Sequence, residues 1–182
     1  MIVRDATPGD AGRLLEIYRW YVERTAVSFE YAAPTLLQFR ERMERIQARY
    51  PWLVAEEDGR VVGYAYAGPF KGRKAYDWSC EVTIYLDRQA RGRGLGRALY
   101  GALEAALRDM GVLNLYACIA VPEAGDEYLT LDSPRFHARL GYAEVGRFRR
   151  CASKFGRWYD MIWMGKTLGP HDPDPAPVRW RG

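Results

Sequence analysis

The stretch Gln89-Ala90-Arg91-Gly92-Arg93-Gly94-Leu95-Gly96-Arg97 has the clearest chemistry in this chain. Glycines at alternate positions remove side chains that would block a close approach to the backbone. The residues before it alternate as a strand does, with Val82, Ile84 and Leu86 against Glu81, Thr83 and Tyr85. The residues after it place Leu95, Ala98, Leu99, Ala102, Leu103, Ala106, Leu107 and Met110 at helical spacing, and Gly111 fits the helix stop. A glycine turn between a strand and a helix start presents unpaired backbone N–H groups at the positive end of the helix dipole. Arg91, Arg93 and Arg97 can add charge-assisted hydrogen bonds. The expected guest is a phosphate or pyrophosphate. The spacing is not the dinucleotide pattern G-x-G-x-x-G, because Arg97 stands where the third glycine would be. No Gly-Lys-Ser/Thr follows, which excludes a P-loop. The plain alternative is a glycine-rich turn with solvated arginines.

The elements around this turn predict one domain. The chain has 182 residues, with 48% hydrophobic and 27% charged, as in a soluble globular protein with a real core. A net charge of +4 and a pI near 9.0 suit an anionic ligand without demanding nucleic acid. Cys80, Cys118 and Cys151 have no metal-ligand spacing and read as buried thiols in a reducing compartment. No signal peptide or membrane-length apolar run is visible, so a cytoplasmic location is expected.

In order, the pattern predicts a strand over 1–4, a helix entered through Thr7 and Pro8, and a second helix from Pro34 to about Arg49. The charges of the second helix read as a solvated face. A hairpin over 52–56 and 60–67 turns at Asp58-Gly59. A basic, aromatic connection over 69–76 leads to the central strand. After the long helix come a strand over 114–121, an acidic connection over 122–133, a helix over 134–140, and strands over 143–150 and 158–166. Residues 169–182 form a Pro-rich tail, expected to be extended or disordered, behind a domain spanning 1–168.

The glycine turn, placed between this strand and this helix, resembles the pyrophosphate loop Q/R-x-x-G-x-G/A of the GNAT N-acetyltransferases. The chain is further similar to the phosphinothricin and methionine sulfone/sulfoximine acetyltransferase branch, from about Ile2 to Leu168. The residues that carry the likeness are Thr25-Ala-Val-Ser-Phe-Glu30, Gly63-Tyr-Ala-Tyr66, Lys71-Gly-Arg-Lys-Ala-Tyr76, Trp78, Glu81-Val-Thr-Ile-Tyr85, Phe136-His-Ala-Arg-Leu-Gly-Tyr142 and Lys154-Phe-Gly-Arg-Trp-Tyr-Asp160. The resemblance implies an α/β GNAT fold, with a mixed central sheet of about six to seven strands flanked by helices and a splayed central strand pair. It implies transfer of acetyl from acetyl-CoA, as co-substrate and without a metal, to the primary amine of a small molecule such as an amino acid or analogue. It also implies a homodimer.

Roles follow position by position. Glu81 matches the branch's candidate base, and the bland alternative is a strand glutamate facing solvent or holding an arginine. His137 matches the position of a candidate acid, and the alternative is a histidine packed beside Phe136. Ile84, Tyr85 and Leu86 would pair with the pantetheine arm as with another strand. Arg91, Gly92, Arg93, Gly94, Leu95, Gly96 and Arg97 would hold the pyrophosphate. Phe29, Glu30, Trp78 and Tyr85 are candidate walls of the acceptor pocket, as are Tyr66 and Tyr76. Lys71 and Arg73 are candidates for its carboxylate. The chain departs from the family after the fifth strand, where Thr130 stands in place of a cofactor-touching asparagine and Ser133 keeps its distance from His137. The longer connection adds Glu123, Asp126, Glu127 and Asp132, which could favour an acceptor with a second cationic group. Acetylation of a protein N-terminus or another metabolite amine is the runner-up, and a non-catalytic acyl-CoA sensor on the same fold is a different class. Nucleic-acid binding through Arg88, Arg91, Arg93 and Arg97 is disfavoured, since these arginines surround a turn rather than form a stripe with interleaved aromatics.

Overall fold

The computed structural model describes residues 1–90 and 92–181. Alternating apolar residues build a seven-stranded sheet of order β1-β2-β3-β4-β5-β7-β6. The strands are β1 (Ile2–Asp5), β2 (Trp52–Glu57), β3 (Arg60–Pro69), β4 (Ser79–Leu86), β5 (Asn114–Val121), β6 (Ala143–Lys154) and β7 (Arg157–Thr167). All neighbours are antiparallel except β4 and β5. That single parallel pair needs a crossover, supplied by α3 (Leu95–Met110). The other helices are α1 (Ala11–Arg24), α2 (Leu36–Gln47) and α4 (Asp132–Arg139).

The period-2 pattern sorts side chains to two faces. Leu53, Ala65, Cys80, Val82, Leu115, Ala117 and Ile162 meet Leu95, Leu99, Leu103 and Leu107 of α3 in the larger core. Trp52, Val54 and Tyr64 meet Leu14, Tyr18, Phe39 and Met43 of α1 and α2 in a second core. Helix entries are built locally. Asp10 accepts from the Thr7 amide and hydroxyl at 2.7 and 2.9 Å, and α1 starts one short 3-10 turn later than Pro8 suggests. Thr35 and Gln38 form a reciprocal capping box at the start of α2.

Two elements differ from the sequence expectation. Strand β6 runs to Lys154, past 150, because a bulge between Phe148 and Ala152 absorbs the left-handed Arg150 (φ 46°) and pairing then resumes. The extended tail packs on the domain: Val178 is in the larger core, the Arg179 amide donates to the Met110 carbonyl at 2.8 Å, and Trp180 stacks edge-on against Tyr50 at 5.1 Å.

Opposite outcomes are expected from one change at two glycines of the strand–helix segment. Gly94 is left-handed at φ 81°, so Gly94→Ala should lower the unfolding free energy by about 1–2 kcal/mol. Gly101 lies inside α3 with open space at its Cβ, so Gly101→Ala should raise it by about 0.5–1 kcal/mol. Urea titration checks both.

Candidate active site

The ladder between β4 and β5 holds for three residues only: Ser79 opposite Asn114, Cys80 opposite Leu115, and Glu81 opposite Tyr116. Beyond Glu81 the two strands part, while β4 remains paired with β3 as far as Leu86. The vertex of this splay is therefore Glu81. Cys80 and Val82 point into the α3 core, so Glu81 points to the other face. There Phe70 stacks on Tyr116 at 4.5 Å, and Lys71 Nζ sits 5.2 Å from the centre of the Phe70 ring. Burial raises the pKa of the half-buried Glu81 carboxyl, and the Lys71 charge opposes the rise.

Tyrosines line the neighbouring surface. The Tyr85 ring lies 4.9 Å from Tyr18, 5.1 Å from Tyr21 and 5.6 Å from Tyr64. Burial pushes the Tyr85 phenol well above its ordinary value. Tyr66 stacks on Trp52 at 4.0 Å, and its phenol, raised by burial to about 12, feels both Arg42 and Glu81. Glu30 pairs with Arg42 at 2.7 Å, and the Arg42 guanidinium lies 5.8 Å from the Tyr18 ring. Phe29 is half-buried, 6.2 Å from Tyr159. Arg73 is exposed.

At the other end of β4, Asp87 shapes the turn. It binds Arg13 of α1, and its Oδ1 accepts from the Gln89 amide at 2.9 Å. Gly92 and Gly94 both take left-handed φ values, 79° and 81°, with nothing within 4 Å of a Cβ at either position. Gly94 caps α3, leaving the first amides of Leu95, Gly96 and Arg97 without helical acceptors. Gly96 is packed closely, since a Cβ there would stand 2.8 Å from the Phe136 ring. Arg93 is held by Glu57 at 3.0 Å, and Arg97 is exposed. Arg91 lies outside the described residues. The backbone edge of 82–86 faces the splay, with the Leu86 carbonyl accepting from the Tyr21 hydroxyl at 2.6 Å. A glycine-lined helix start and an open strand edge fit a pyrophosphate carrying an amide-containing arm.

Several sequence expectations change here. Trp78 shares the α3 side with Cys80 and donates its indole N–H to the Ala176 carbonyl at 2.8 Å, so it is not a wall of the Glu81 face. His137 is 3% exposed, and both ring nitrogens are engaged: Nδ1 donates to the Ser133 carbonyl at 2.8 Å and Nε2 accepts from the Tyr100 hydroxyl at 2.9 Å. Burial lowers its pKa. It packs among Tyr100, Phe136 and Tyr142, which fits the alternative of a packing histidine. Thr130 is exposed and spends its hydroxyl on the Asp132 amide at 3.3 Å. Three of the four added acids already face arginines of the protein. Glu123 binds Arg150 at 3.0 Å, and Asp126 and Glu127 bind Arg157 at 3.0 and 2.7 Å. Arg42 was hidden in the sequence because nothing in α2 distinguishes it from the solvated charges around it. Among the described residues no group of three or more His, Cys, Asp or Glu could hold a metal ion.

Residues 3–163 match the acetyltransferase (GNAT) domain model. The chain is 37% identical to a phosphinothricin N-acetyltransferase of Streptomyces viridochromogenes over 96% of this chain and 92% of that protein. It is 31% identical to an L-methionine sulfoximine/L-methionine sulfone acetyltransferase of Salmonella typhimurium, over 94% of this chain and 96% of that one. A phosphinothricin acetyltransferase from Sinorhizobium meliloti, solved in complex with acetyl-CoA, superposes with a TM-score of 0.88 at 32% identity, covering 96% of this chain and 92% of that chain. With its splayed β4–β5 pair, its glycine turn and a match over most of its length, this chain belongs to the GNAT acetyltransferase family.

Proposed function

We propose that this protein transfers the acetyl group of acetyl-CoA to the primary amine of a small, amino-acid-like acceptor, with Glu81 as the base. The observation that carries the reading is Glu81 at the vertex of the splay, half-buried and raised in pKa. Acetyl-CoA supplies the activated thioester carbon. The amides at the start of α3 bind the pyrophosphate, and the open edge of 82–86 aligns the arm that leads toward Glu81. An ammonium must lose a proton before its nitrogen can attack, and a carboxylate of raised pKa is a better acceptor for that proton than an ordinary one. A backbone N–H near Ile84 or Tyr85 offsets the negative charge on the attacked carbonyl oxygen. The leaving thiol has an ordinary pKa of about 8.5, so water suffices to protonate it and His137 need not act. Lys71, whose charge reaches Glu81, is the cation available to an acceptor carboxylate, since Arg42 is already paired with Glu30. Relatives named for phosphinothricin and for methionine sulfoximine and sulfone support this acceptor class.

A homodimer belongs to the same proposal. The exposed Val145 and Phe148 of β6 support it, and light scattering tests it. The thiols of Cys80, Cys118 and Cys151 are free, with Cys80 buried and, against the sequence expectation, Cys118 and Cys151 exposed; free thiols support a reducing, cytoplasmic location.

Release of CoA thiol should be fast with phosphinothricin, methionine sulfone or methionine sulfoximine, and slow with polyamines or a peptide N-terminus; the reverse order would overturn the acceptor class. Glu81→Gln should lower kcat by about 100-fold or more while the acetyl-CoA Kd, read by calorimetry, stays within about twofold. Lys71 holds the Glu81 pKa down, and the base works only when ionised. Lys71→Met should therefore move the acid limb of the kcat profile to higher pH. Replacing Glu123 and Glu127 together by Gln should leave the ranking of acceptors unchanged, because both are tied to arginines.

A further inference from the structure

Lys154 is the only buried Lys or Arg among the described residues, at 2% exposure, and the chemistry above does not use it. No carboxylate forms an ion pair with it among those residues. Its three ammonium protons go to three backbone carbonyls: Val22 at 2.7 Å, Thr25 at 2.9 Å and Ser28 at 2.6 Å. Val22 and Thr25 lie at the C-terminal end of α1, where carbonyls lack helical donors and a cation is favoured. Ser28 belongs to the loop that follows. A buried charge must be fully hydrogen-bonded to be tolerated, and here all three donors are used. The last residue of β6 is thus bound to a loop more than a hundred residues earlier in the chain.

The same loop is gripped from its other sides. The Ala26 amide donates to the Tyr128 carbonyl at 3.0 Å, and Ala26 packs with Ala120, Leu129 and Tyr159. Tyr128 in turn stacks on Phe155, next to Lys154, at 4.3 Å. The Tyr31 hydroxyl donates to the Ser153 carbonyl at 2.6 Å. Phe29 and Glu30 lie between these fastenings, with Glu30 pointing to Arg42.

We propose that Lys154 is a positioning residue for the acceptor site: by gathering the carbonyls of Val22, Thr25 and Ser28 it fixes loop 25–30, and so Phe29 against Tyr159 and Glu30 against Arg42. The connection over 123–131 is the second support of that loop through Tyr128 and Leu129. This inference rests on the acetyltransferase reading for its kinetic consequence, not for its structural one.

The test compares wild type with Lys154→Met, which keeps the length of the side chain and removes the ammonium. The KM for the amine should rise about tenfold or more, with the KM for acetyl-CoA within about twofold, since the glycine turn is built on other elements. Backbone amides of 25–30 should exchange faster with solvent than in wild type, while those of α3 keep their protection. If Lys154→Met does not fold, Leu129→Ala loosens the loop from the other side and should give the same split. An unchanged amine KM, or a parallel rise of both KM values, overturns the proposal. Should wild type acetylate no amine, the acetyltransferase reading fails, and unaltered exchange of 25–30 in the variant then overturns the positioning role separately.

Discussion

The early end of the β4–β5 ladder is the constraint on which the rest of the molecule depends. Strands normally pair along their length because a buried backbone N–H or C=O without a partner costs free energy. Here pairing stops after Glu81 and Tyr116, and the edge of 82–86 faces an opening. The sheet is thereby divided into a β1–β4 wing and a β5–β7–β6 wing. On one face the leucines of α3 share a core with residues of β4 and β5. The other face is left open, and the acidic, phenolic and cationic groups gather there. The crossover that a parallel pair requires is also the element that carries the glycine turn.

Adjacent residues of β4 live in different media. Cys80 is in the dry α3 core, where burial pushes its thiol far above the ordinary value. Glu81, one residue on, is only half-buried and answers to Lys71. The alternation of a strand thus separates packing from chemistry at single-residue resolution. Because the carboxyl is desolvated and faces one opposing cation, its basicity is set by the balance of two effects of opposite sign, and the loop that carries Lys71 controls one of them.

Local chemistry was legible in the sequence. The glycine turn, the boundaries of α3, its left-handed stop at Gly111 and the alternation that exposes Glu81 all follow from neighbouring residues. What was not legible depends on partners distant in the chain. His137 finds Tyr100 37 residues away, and Lys154 finds carbonyls 126 to 132 residues away. The acidic connection looked like a cation site because its arginine partners, Arg150 and Arg157, lie on another hairpin. Trp78 precedes the regular strand, and only the docked tail shows which way its indole faces. For the tail itself a local signal existed: Val178 and Trp180, spaced by two, follow a proline-stiffened run that loses little conformational freedom on docking.

That docking has a mechanical consequence. Helix α3 is a rod roughly 24 Å long, at 1.5 Å of rise per residue. Its leading end is the glycine turn, and its trailing end is pinned where Arg179 binds the Met110 carbonyl and Val178 lies against Gly111. Loss of the C-terminal contacts would therefore loosen the end of the rod farthest from the amides at its start.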